Sequence, residues 1–275
     1  MTLVFVLGIL IGAVMGLTGA GGGILAVPVL VAGMHWSMQQ AAPVALIAVA
    51  AGAAVGAIDG FKLGLVRYKA AILMAVCGVP FTRLGQHWAN VMPQFILMGV
   101  FALLMLAVSW RFYKQSQQTT LNSEEDSLRL AFINSATSKF IWTPIAASIL
   151  AGIGMLTGLM TGLLGVGGGF LIVPLMRRFT HLAVPGIVAT SLFVIALVGS
   201  GGVVNAVLAG AELPMVETSS FIGAMIGGML MGRRVSRMLQ PWQVQRGFAF
   251  LLFFVSAYML FKAFDLQPLT FAFVR

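Results

Sequence analysis

The chain has 275 residues, 60% of them hydrophobic and 8% charged, with a net charge of +9 and a mean hydropathy of +1.02. A soluble domain covers its surface with about 25% charged residues, so this composition excludes a water-soluble fold and specifies an all-α, polytopic integral membrane protein whose main solvent is the lipid bilayer. The positive charges stand singly between apolar runs, which argues against a nucleic-acid partner and reads as topology signals instead.

Apolar runs bounded by polar breaks fall at 3–33, 41–60, 69–86, 93–110, 141–176, 184–210, 214–232 and 247–264. A spanning helix takes about 20 apolar residues, so the first and fifth runs are far longer than one crossing needs. The first run lacks a basic leading segment and continues past the apolar core of any signal peptide. Residues 114–138 contain the one long polar stretch and read as a cytoplasmic linker between a first membrane repeat, 1–113, and a second, 139–275. Cys77, the single cysteine, lies in an apolar run, so neither a disulfide nor a thiolate metal site is expected. No cofactor is implied.

The two overlong runs carry the same phrase. Gly12-x3-Gly16-x2-Gly19-x-Gly21-Gly22-Gly23-x3-Val27-Pro28 returns 146 residues later as Gly158-x3-Gly162-x2-Gly165-x-Gly167-Gly168-Gly169-x3-Val173-Pro174, and His35 and His181 share that offset. A repeat of this kind makes the chain two copies of one unit. The Gly12/Gly16 and Gly158/Gly162 pairs have the small-xxx-small spacing of close helix packing. A triple glycine followed by Val-Pro asks for more, namely a break in the helix.

The positive charges choose a topology. If every run crosses once, nine Lys and Arg fall inside and seven outside, which is no enrichment. If each glycine-bearing run folds back on itself, thirteen fall inside and only Arg83, Lys262 and Arg275 outside, as cytoplasmic loops require. Each repeat then holds a glycine-rich broken hairpin helix plus three further spanning helices, five elements in all. An odd number makes the repeats run in opposite directions, an inverted-topology pair with its site between the halves near mid-membrane. Trp36, Trp88, Trp110, Trp142 and Trp242 fall at run ends, where interfacial anchors belong.

A glycine break inside a membrane exposes backbone N–H groups beside the positive end of a helix, which suits a small anion. The candidate substrate-binding residues are Gly19, Gly21, Gly22, Gly23, Gly165, Gly167, Gly168 and Gly169. Hydroxyls nearby, among them Thr18, Thr157, Thr161, Thr190, Ser191 and Ser200, offer donors, although membrane Ser and Thr commonly bond their own helix carbonyls. Arg83 is the candidate fixed positive charge, with snorkelling to the outer surface as the alternative. Asp59 is the candidate for coupling to protons, since a carboxylate in the membrane is costly; Lys62 one turn later also fits a solvated, interfacial Asp59. Two other classes remain open: a non-transporting scaffold or assembly factor, and an intramembrane hydrolase built on Ser200 with His181 as base. The first is carried by the lack of obvious coupling residues, the second only by the generic Gly199-Ser200-Gly201.

The doubled glycine phrase, with Ala189-Thr190-Ser191-Leu192 after its second copy, resembles the sulfite exporter TauE/SafE family across essentially the whole chain. The first copy departs from it, with Pro43-Val44-Ala45-Leu46 at the corresponding place. The resemblance implies a permease of the bacterial inner membrane that moves a small anion, such as sulfite, a sulfonate, thiosulfate or a related organic acid, usually outward. It implies no enzyme activity. No G-x4-G-K-[ST] phrase occurs, so drive would come from protons or the membrane potential rather than from bound nucleotide.

Overall fold

The computed structural model describes residues 2–117, 143–180, 182–210, 214–236 and 238–272. From residue 118 onward the expected linker lies outside the described residues. The elements are α1 (Thr2–Thr18), a 3₁₀ segment (Gly19–Leu25), α2 (Ala26–Met34), α3 (Met38–Lys62), α4 (Tyr68–Val91), α5 (Gln94–Gln117), α6 (Pro144–Leu164), α7 (Gly169–Phe179), α8 (Val184–Leu208), α9 (Met215–Ser236) and α10 (Pro241–Ala272). Among the described residues, six helices are long and apolar enough to cross a membrane: α3, α5, α6, α8, α9 and the Trp242–Phe264 part of α10. The protein is an all-helical, multi-pass membrane protein.

α4 has 24 residues but stands outside that six, because Thr82, Arg83, Gln86, His87 and Asn90 make its second half polar. α6 joins the six although the sequence marks it as half of a hairpin; its 21 residues rise about 31 Å at 1.5 Å each.

Both overlong runs break at the glycine phrase. After the first break the chain returns beside α1: a Cβ on Gly33 would lie 2.5 Å from Leu7 Cδ1 and 4.0 Å from Leu3 Cδ2. Residue 33 has thus come back to the level at which the run began. After the second break α7 packs against α6.

The two halves interlock. α1 packs on α9 and α6 on α4, while α3 pairs with α8 and α5 with α10. Gly8, Gly12 and Gly16 press α1 onto the carbonyls of Phe221, Met225 and Met229; Gly154, Gly158 and Gly162 press α6 onto those of Met74, Gly78 and Thr82. Lipid supplies no hydrophobic drive between helices, so close backbone approach through small residues replaces it, with Cα–H···O contacts adding to the seam. The glycines on the two seams are 146 residues apart, their carbonyl partners 147. α4 and α9 therefore correspond one residue out of step with the rest of the repeat. In that register Gly85 matches Gly232, and they meet the carbonyls of the matched residues Leu159 and Ala13.

α3 and α8 end alike as well. The Leu63 N–H donates to the Asp59 carbonyl at 3.1 Å, and the Ala209 N–H to that of Asn205 at 3.0 Å; Gly64 and Gly210 then take φ +67° and +78°, as glycine readily does just past a helix end. Midway along these two helices, the matched residues Val49 and Ile195 are both buried. A Cβ on Gly23 would lie 3.0 Å from Val49 Cγ1 and 3.3 Å from the Val166 carbonyl oxygen. One on Gly167 would lie 2.8 Å from Ile195 Cγ2 and 3.0 Å from Val49 Cγ1. The two glycine breaks thus converge on the middle of the central helix pair.

Candidate functional site

Two cavities approach the glycine breaks from opposite ends of α3. The larger, about 1150 Å³, is lined by Gly16 to Gly19 and Gly21 of the first phrase, the C-terminal ends of α3 and α9, and the N-terminal end of α8. The smaller, about 250 Å³, is lined by Gly162, Leu163 and Gly165 of the second phrase, the N-terminal end of α3 and the C-terminal end of α8. Matched segments therefore face the two cavities, yet the contents differ. Among the described residues, the larger holds Lys62, Arg111, Arg177, Arg233 and Arg234 with one carboxylate, Asp59. The smaller has no charged lining among the described residues; there its polar side chains are Gln39, Gln86, Asn90 and Thr161.

Topologically, the five cations are informative. Single crossings would place Lys62 and Arg111 on one face of the membrane and Arg177, Arg233 and Arg234 on the other. All five line one cavity, as the fold-back arrangement expects.

Four of the five, Lys62, Arg111, Arg177 and Arg234, are exposed, whereas Arg233 and Asp59 are half-buried. Arg233 Nη1 donates to Asp59 Oδ2 at 2.5 Å, and its Nη2 to the Gly56 carbonyl at 3.3 Å. The glycine phrase sets this position, for a Cβ on Gly16 would stand 2.8 Å from the Arg233 backbone nitrogen. Arg111 Nη2 donates to the carbonyl of Pro174 at 3.4 Å. Two features of this cavity attract an anion: an excess of cations, and the approach to the N-terminus of α8.

A counterpart of the Arg233 contact exists at the smaller cavity. Gln86 Nε2 donates to the Gly202 carbonyl at 2.8 Å. Gly56 and Gly202 are matched at 146 residues, Arg233 and Gln86 at the 147 of their helices, and Asp59 is matched by Asn205. One fold position is thus ionic on one side and neutral on the other.

Of the residues singled out from sequence, Thr18, Gly19, Gly21 and Asp59 line the larger cavity, Thr161 and Gly165 the smaller. Gly22, Gly23, Gly167, Gly168 and Gly169 are buried between them. Thr18 donates to the Val14 carbonyl at 2.8 Å, Thr161 to that of Thr157 at 2.8 Å and Ser200 to that of Ala196 at 2.6 Å. Ser191 donates to the Val188 carbonyl at 2.8 Å, while the Thr190 hydroxyl accepts from the Arg67 backbone N–H at 3.0 Å. Thr157 is different: its buried hydroxyl has no partner among the described residues. Arg83 lies on the exposed face of α4 beside Leu84 and Trp88, outside both linings. His35 closes α2 with φ +56°, and His181 lies outside the described residues.

Sequence reading missed Arg233 and Gln86. Arg233 served there only as one more topology charge. The available signal was the pair Gly85-Gln86 and Gly232-Arg233, hidden because it repeats at 147 rather than 146 residues.

A family model described as sulfite exporter TauE/SafE matches residues 4–259. Among relatives, the chain is 24% identical over 264 residues to "Probable membrane transporter protein YunE" of Bacillus subtilis, covering 94% of this chain and 96% of that one. It is 28% identical over 230 residues to a "Probable membrane transporter protein" of Xylella fastidiosa, covering 81% and 78%. A third relative so named, from Methanocaldococcus jannaschii, is 25% identical over 216 residues, covering 76% and 73%. No solved structure matches the chain.

Proposed function

The chain belongs to the sulfite exporter TauE/SafE family, a family of membrane transporters, and from that premise we propose that it is a secondary permease for a small anion such as sulfite, a sulfonate or thiosulfate, working as an exporter. The anion passes between the two glycine breaks, and the halves, as inverted repeats of 1–113 and 139–275, rock about them to open one cavity or the other. The observation that carries this reading is the larger cavity, in which five cations and one carboxylate surround a floor made by the first glycine phrase.

Charge bias puts that cavity on the cytoplasmic face. A membrane potential that is negative inside then favours expulsion of an anion by about 2.3 kcal/mol per charge per 100 mV, so export needs no nucleotide. Asp59, the one carboxylate in the cavity lining among the described residues, is the group through which a proton gradient would act.

The test is flux of radiolabelled sulfite, thiosulfate, sulfoacetate and sulfate in vesicles containing only this protein, with and without an imposed pH gradient. Saturable flux of at least one anion is expected. Folded protein that moves none of the four would defeat the reading, and a flux indifferent to the gradient would remove Asp59 as a coupling group.

A further inference from the structure

We infer that Arg233 is an anion ligand of the transport pathway and that the Asp59 carboxylate occupies it in the empty protein, as a tethered competitor that the substrate displaces. The inference rests on the permease reading and deepens it by assigning the group that holds the substrate. A guanidinium presents parallel N–H donors that suit two oxygens of one oxyanion, whether carboxylate, sulfonate or sulfite. Arg233 aims its two terminal nitrogens at Asp59 Oδ2 and the Gly56 carbonyl, two acceptors one turn apart on α3. It does so half-buried, inside the cavity that Thr18, Gly19 and Gly21 floor.

The surroundings supply what an exchange requires. An anion arriving on Arg233 leaves the Asp59 carboxylate needing a cation, and Lys62, one turn further along α3, lines the same cavity. The exchange therefore leaves the carboxylate, whose side chain is 44% exposed, with water and a cation in the same cavity, so opening the pair strands no buried charge. A bridge that only fastened α3 to α9 would not call for a spare cation beside it.

The neutral counterpart gives the inference a direction. Gln86 makes the corresponding contact with Gly202 at the cavity that has no charged lining among the described residues. An amide holds an oxyanion less strongly than a guanidinium does. Capture is strong on the cationic side and release is easy on the neutral side.

Both Arg233→Gln and Asp59→Asn break the same ion pair, so a purely structural bridge predicts the same direction for both. Displacement predicts opposite directions. In proteoliposomes with thiosulfate and sulfite as probes, R233Q should raise the half-saturating concentration about tenfold or more, the scale of a lost charge-assisted hydrogen bond, and D59N should lower it several-fold. R233K should fall between R233Q and the parent, and D59N/R233Q should match R233Q, because a competitor with nothing to compete for has no effect. Half-saturation moving the same way in D59N and R233Q, or in neither, would overturn the inference. If R233Q does not fold, the opposite shifts of D59N and R233K carry the test.

Should the parent protein move neither probe, the permease reading rests on the other two anions, and binding then decides the site. Millimolar thiosulfate or sulfite should raise the melting temperature of D59N more than that of the parent and leave R233Q unmoved. Equal shifts, or none, in all three proteins would end the proposal.

Discussion

The two glycine breaks share one phrase and have two different structures. At the first, the chain winds into a 3₁₀ segment from Gly19 to Leu25, and only Gly19 takes a positive φ, +75°. At the second, Gly165, Gly167 and Gly168 all take positive φ, +69°, +77° and +62°, and α7 starts at once at Gly169. Their backing differs too. A Cβ on Gly22 would strike Met15, and one on Gly168 would strike Thr157 and Thr161. At Gly22 the obstacle is the Met15 backbone, whereas at Gly168 it is the Thr157 methyl and carbonyl and the Thr161 hydroxyl, so backbone backs one break and threonines the other. The contrast extends to the cavities, cationic beside the first break and uncharged beside the second. A triple glycine makes a backbone break possible, and its neighbours determine which break forms and what chemistry it faces.

The largest expected effect tests the backbone difference directly. Gly21 and Gly167 hold the same place in the phrase, yet a Cβ on Gly21 would meet nothing closer than Phe248 Cε1 at 3.6 Å, whereas Gly167 sits in the left-handed region. Gly167→Ala should cost about 1–2 kcal/mol for its φ and roughly 1–3 kcal/mol more for crowding Ile195 and Val49. Gly21→Ala should stay within about 0.5 kcal/mol of the parent. Thermal unfolding of the two variants in detergent checks this; equal losses would mean that the breaks are alike after all.

A smaller effect sharpens the comparison between cavities. Gln86→Leu removes the contact with Gly202 and should destabilise by about 1 kcal/mol, the worth of an ordinary hydrogen bond, without raising the half-saturating concentration measured from the cationic side. A large rise there would show that the neutral cavity captures substrate.

The smallest effect on stability belongs to Thr157. Its hydroxyl is buried without a partner among the described residues, beside the N-terminus of α7, where the first N–H groups of a helix lack internal acceptors. Thr157→Val removes an unsatisfied group at nearly constant volume, so the melting temperature should hold or rise slightly. Flux should fall several-fold, because that hydroxyl is free to meet an anion crossing the second break. Unchanged flux would confine binding to the first break and the Arg233 side.

The helical membrane fold was legible in composition and run lengths, because lipid permits few alternatives. The breaks were legible because clustered glycines free the backbone from the helix; proline was no guide, since Pro43, Pro80 and Pro174 lie inside α3, α4 and α7. The small-xxx-small glycines proved to be packing residues, on seams that Gly8 and Gly154 extend. Which break would wind into 3₁₀ and which would open into left-handed turns was not legible, since the glycines match and the differences between them, Ile24 for Phe170 and Ala26 for Ile172 among them, act through packing with distant residues.

By itself, the sequence determined that this chain lies in lipid, that it is built from two copies of one unit, and that its backbone breaks at matched glycines. Each of these follows from local composition and spacing. Only the tertiary structure decided that Asp59 pairs with Arg233, 174 residues away, and that Gln86 takes the matching place. The reason is the interlock: α1 packs on α9 and α6 on α4 with a one-residue slip between glycines and their carbonyl partners. A slip between two packed helices leaves no mark on either helix read alone, yet it selects which side chain reaches the cavity.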